Sequence, residues 1–99
     1  MILYLSKEMP SGIVTTLHQL DSVSLRGNQL RCFFESYTAE DKLIAKKPAS
    51  SQSFHFEVTD NELNGNAGLY EVILQKVQQT AEWENATLYT LTTVIAEQI

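Results

Sequence analysis

The chain has 99 residues, 43% of them hydrophobic, and a net charge of −5. That length makes one domain the default, with enough apolar content to bury a core without disulfides or a metal. The negative charge argues against nucleic acid as the main partner, because such binding runs on phosphate neutralisation by Lys and Arg.

Ile2–Leu5 reads as a first strand, and is far too short for a signal-peptide core or a membrane span. A cytoplasmic product without a membrane partner is the expectation. Met9-Pro10-Ser11-Gly12 then breaks the chain. In Ile13–Leu20, Val14, Thr16, His18 and Leu20 alternate, whereas Ile13, Leu17 and Leu20 have helical spacing. The β-branched run Val14-Thr15-Thr16 favours a strand. Val23–Leu25 and Leu30–Phe34 flank Arg26-Gly27-Asn28-Gln29, the pattern of a hairpin with Gly-Asn at its tip. On its second strand Leu30, Cys32 and Phe34 share one face, and Arg31, Phe33 and Glu35 the other. Cys32, the only cysteine, cannot form an internal disulfide and reads as a buried inert thiol.

Tyr37 to Lys47 has two readings: a short helix begun at Thr38 with Asp41, or a loop at Ala39–Lys42 followed by a strand at Leu43–Lys46. The second is preferred, with Lys46-Lys47-Pro48 protecting a sheet edge. Phe54-His55-Phe56-Glu57-Val58 alternates cleanly, phenylalanines and valine inward. Asp60 to Gly68 reads as a polar connection. Leu69–Val77 is read as a strand entered from an Asn/Gly loop, although Leu69, Val72, Ile73, Lys76 and Val77 also fit a helix running on to Trp83. Thr87–Ile95, rich in β-branched residues, reads as a final strand reaching almost to the last residue. The sum is about six or seven short strands, an all-β antiparallel sandwich or small barrel. The alternative is an α+β fold with a helix at about 68–83.

No spacing of His18, His55 and Cys32 suits a zinc site. Asp60-Asn61-Glu62 and Asn64-Gly65-Asn66 supply oxygen ligands without the spacing of a calcium loop. His55, Glu57 and a nearby serine lack a nucleophile elbow. The chain is therefore read as non-enzymatic, with no cofactor, no metal and no catalytic residues. Charge is uneven: residues 1–60 carry six bases and seven acids, whereas residues 61–99 carry Lys76 against Glu62, Glu71, Glu82, Glu84 and Glu97. Such a chain could pair head to tail with its own copy. Trp83, between Glu82 and Glu84 in an expected loop, is the leading binding residue, with Tyr70 as a rim residue. The placement preferred for Trp83 nevertheless folds it back to cap the core, as a lone tryptophan in a small sandwich commonly does.

From Val58 onward the order is Val-Thr-Asp at a strand end, a loop with Asn-Gly-Asn-Ala-Gly, Leu-Tyr-Glu-Val-Ile-Leu, then a tryptophan loop and a last strand. This pattern, over about residues 54–99, resembles the last strands of Ig-like β-sandwich modules, in particular the small N-terminal sandwich domains of tailed-bacteriophage baseplate and tail-fibre proteins. The resemblance implies no catalytic residues. It implies a structural part in a virion or tail, played by self-assembly or by docking on a larger protein. Two other roles fit the acidic tryptophan loop: a small inhibitor of a basic site on a host enzyme, with charge speeding encounter, or a carbohydrate-binding module that stacks sugars on Trp83.

Overall fold

A hairpin at Gly27-Asn28 organises the sheet. Gly27 takes φ +62°, a region that a residue without Cβ enters freely. The turn joins β2 (Val14–Arg26) to β3 (Gln29–Tyr37), paired from Arg26↔Gln29 back to Leu17↔Tyr37. A bulge between Leu20 and Ser22 shifts the register, so that Leu20 and Val23 both turn to the main core. β1 (Ile2–Glu8) pairs with the other side of β2, β4 (Ser50–Glu57) with β3, and β5 (Thr87–Leu88) with β1. The result is one antiparallel sheet of five strands in the order β4-β3-β2-β1-β5. This computed structural model describes residues 1–65 and 68–91.

One face of the sheet carries Leu3, Leu30, Cys32 and Phe34, all fully buried. Helix α3 (Leu69–Gln78) closes it with Val72, Ile73 and Val77, and Val58, Trp83 and Ala86 complete that core. On the opposite face a smaller cluster forms where α1 (Glu40–Ile44) sets Leu43 against Ile2, Leu17 and Tyr37. The remainder of that face is open, and Phe33 there is 43% exposed. The fold is thus mostly β, with short helices. Among the described residues there are five strands where about six or seven were expected, and neither a second sheet nor a closed barrel.

The first strand, the hairpin and the inward alternation of Phe54, Phe56 and Val58 follow the sequence reading. Leu69–Val77 does not: it is helical, as in the α+β alternative, although the helix ends at Gln78, short of Trp83. As a strand it would split its apolar residues, Ile73 and Val77 facing one way and Val72 and Leu74 the other. Helical spacing gathers Val72, Ile73 and Val77 on one stripe, and burying that stripe outweighs the weak strand preference of its valines and isoleucine. It is also one of the segments on which the resemblance to sandwich modules rests.

Two further segments change. Leu43 belongs to α1 and not to an edge strand; Lys46 adopts φ +57° just after it. The Lys47 N–H reaches the Lys42 carbonyl and the Lys46 N–H that of Leu43, a left-handed helix stop with lysine in the usual glycine place. The expected polar connection contains α2 (Asp60–Asn64), started by a reciprocal cap between Thr59 and Glu62. That cap and Lys76 hold the Glu62 carboxyl below its ordinary pKa, the Thr59 N–H having the larger effect. Of Thr87–Ile95, Thr87–Leu88 is strand, and residues 92–95 lie outside the described residues.

Candidate functional site

Helix α3 brings two unlike regions to its ends. At its C-terminal end the chain turns back twice, with the Trp83 N–H donating to Thr80 and the Ala86 N–H to Trp83. Glu82 takes the left-handed φ of +73° that this reversal needs, and Gln78 donates to the Ala86 carbonyl at 2.8 Å. The reversal drives the indole into the sheet, and Trp83 is only 4% exposed. His18 meets the ring edge-on at 4.8 Å between centroids, and Phe54 does so at 5.1 Å. The Lys7 ammonium sits 4.9 Å from the ring centroid and pairs with Glu82 at 3.4 Å. Of the two placements read for Trp83, the structure takes the one folded back onto the core and not the half-wet one presented to a partner: the indole closes the core. Glu82 and Glu84 remain exposed beside it, Glu82 holding Lys7.

His18, read from the sequence only as a residue outside any zinc spacing, has contacts here that the sequence did not announce. Its Nε2 lies 2.9 Å from the Leu5 carbonyl, and its Nδ1 lies 2.7 Å from Ser36 Oγ. A carbonyl can only accept, so Nε2 carries the proton and Nδ1 accepts from the Ser36 hydroxyl. The ring is neutral: burial lowers its pKa from the ordinary 6.5, the Leu5 hydrogen bond opposing this and the nearby Lys7 charge adding to it. The pair resembles a nucleophile and base only in composition. Both side chains are fully buried, and a backbone carbonyl stands where an orienting carboxylate would. Pairing across β2 and β3 brings them together, His18↔Ser36, a register no local motif announces.

At the N-terminal end of α3 the arrangement is open. Tyr70 is 57% exposed and Leu88, across from it on β5, is 63% exposed. With Met1, Glu71 and Leu74 they line a groove of about 460 Å³. One wall is helical (Tyr70, Glu71, Leu74) and the other is the sheet edge (Met1, Leu88). Glu71 is its one charged residue, and makes no ion pair among the described residues. Of the four residues read as a binding set, Tyr70 alone lines this groove, and the structure separates it from Trp83, Glu82 and Glu84.

Elsewhere, burial pushes the Cys32 thiol up to about 11, which leaves it inert. Ser24, Arg31 and His55 fall in one row across β2, β3 and β4 on the open sheet face, beside a shallow polar depression. Among the described residues no group of three or more His, Cys, Asp or Glu side chains is placed to hold a metal ion, and no helix is long and apolar enough to cross a membrane. The chain matches no protein-family model, no curated protein and no solved structure.

Proposed function

We propose that this protein is a non-enzymatic interaction domain that works by protein–protein contact through the groove at the N-terminal end of α3. The observation that carries the reading is the exposure of Tyr70 and Leu88, the two most exposed large hydrophobic residues among those described, together in one apolar groove. Aromatic and aliphatic anchors around a concave apolar surface are what protein interfaces use for affinity, with a polar or charged group at the rim for orientation. Glu71 supplies that rim. The outer side of β4 adds a second contact element, since no strand among the described residues pairs with it, and an unpaired edge can accept a partner strand. The likeness of the segment 54–99 to tail modules suggests assembly in a virion as the setting.

A photo-crosslinking residue at Leu88, in cells that produce the protein, tests the groove. The expected result is one discrete adduct from Leu88 and none from the same probe at Ser11, an exposed turn residue at the other end of β1. No adduct from Leu88, or the same diffuse products from both positions, would overturn the reading.

A further inference from the structure

The hairpin tip, opposite to this groove in charge, is also exposed. From Ser22 to Arg26, β2 pairs only with β3 among the described residues, its pairing with β1 running from Val14 to Gln19, so the tip lies beyond the β1 pairing on that side. Leu25 is 48% exposed and Arg26 is exposed. Arg26, one of two arginines in the chain, makes no ion pair among the described residues. The tip is braced, not loose. The Asn28 amide donates to the Val58 carbonyl at 2.7 Å and to Asp60 at 3.2 Å, and the Val58 N–H returns a bond to the Asn28 carbonyl. An exposed element already held in one conformation loses little freedom on binding.

Tip and groove are complementary in two respects. Along a strand, Leu25 and Arg26 point to opposite sides. The groove likewise has two unlike walls, apolar Met1 and Leu88 on the sheet side, and Tyr70 with Glu71 on the helix side. A tip seated between them places Leu25 against the sheet-edge wall and the Arg26 guanidinium against the Glu71 carboxylate, with its stem over the Tyr70 ring. From this complementarity we infer that the occupant of the groove is a second copy of this chain, which inserts its β2–β3 hairpin tip so that Arg26 pairs with Glu71. The inference rests on the groove being a contact surface, and adds the identity of the partner. One chain carries both halves, so the contact is made twice across a two-fold axis or repeats head to tail.

Sedimentation velocity from about 10 µM to about 1 mM, the range in which a small interface binds, tests it. The native protein is expected to associate with rising concentration. R26E and E71R are each expected to weaken association at least about tenfold, because like charges then face each other. Mixing R26E with E71R is expected to restore it, since every facing pair is again of opposite sign, and the double variant R26E/E71R is expected to associate alone. All of these positions are exposed, and far-UV circular dichroism checks that the fold is kept. A native protein that stays monomeric throughout would overturn the inference, and the crosslink at Leu88 would still decide the groove. Association lost in L88E but kept in R26E and E71R would also overturn it, while retaining the groove as a contact. Single losses that mixing fails to restore would remove the Arg26–Glu71 pairing.

Discussion

The two ends of helix α3 hold one aromatic residue each and use it oppositely. At the C-terminal end Trp83 is driven inward. A left-handed Glu82 turns the chain, Lys7 lies over the indole, and His18 and Phe54 take its edges. At the N-terminal end Tyr70 stands out over a groove that it lines with Glu71, Leu74, Met1 and Leu88. One end is a closure in which Lys7, His18 and Gln78 all have partners; the other is an exposed apolar surface whose single charge makes no ion pair among the described residues. The difference teaches that aromatic content in an acidic segment does not by itself mark a contact. What marks one is whether the chain can satisfy the aromatic residue on its own.

That contrast predicts which substitutions act on stability and which on association. Trp83→Ala is expected to have the largest effect, about 3–5 kcal/mol of lost stability, because it empties the centre of the closure. Urea unfolding followed by circular dichroism measures it, the indole being the chain's only tryptophan. A loss below about 1 kcal/mol would mean that the closure is not structural.

His18→Leu comes next, at about 2–3 kcal/mol near pH 7.5, since it leaves the buried Ser36 hydroxyl and Leu5 carbonyl without partners. It also carries a pH signature. With the folded pKa below the ordinary 6.5, the unfolded chain binds the proton first. Stability is therefore intact above about pH 6.5 and is lost as pH falls from there toward the folded value, by at most about 1.4 kcal/mol per pH unit. The part of that slope lying above the range where carboxylates titrate should vanish in His18→Leu, and if it persists another group is responsible.

Lys7→Ala should cost only about 1 kcal/mol, the worth of a partly buried cation over an indole, with the pair to the exposed Glu82 adding little. Raising the salt concentration should reproduce a small part of that loss at most. Smallest of all in stability are Tyr70→Ser and Leu88→Glu, expected within about 0.5 kcal/mol of the native protein because both residues are exposed. These two are expected to abolish association at the concentrations where the native chain self-associates, while Lys7→Ala leaves it intact. If the groove variants unfold the protein instead, the contrast between the two ends fails.

Much of the sheet was legible because its signals are local. Gly27-Asn28 between apolar runs set the hairpin, and strict alternation set the face of Phe54, Phe56 and Val58. The Thr59-x-x-Glu62 cap of α2 is an equally local signal of a helix start. Leu69–Val77 was harder, since over nine residues β-branched composition and helical spacing oppose each other and only the sheet beneath decides. The site was least legible. The His18–Ser36 contact joins residues 18 apart, and Trp83 finds Lys7 and Phe54 across the fold. No local pattern encodes such pairs. Tyr70 was named among the binding residues, but its partners Met1 and Leu88 come from the two opposite ends of the described chain.

The central claim, that α3 closes the core at one end and receives a second copy at the other, is tested most directly by amide hydrogen exchange of the native protein at low and high concentration. Protection should rise with concentration at the hairpin tip, residues 25–28, and along the groove at residues 69–74 and 88, and stay constant at His18, Ser36 and residues 80–86. Concentration-dependent protection confined to the Trp83 segment, with none at the tip or groove, would contradict it.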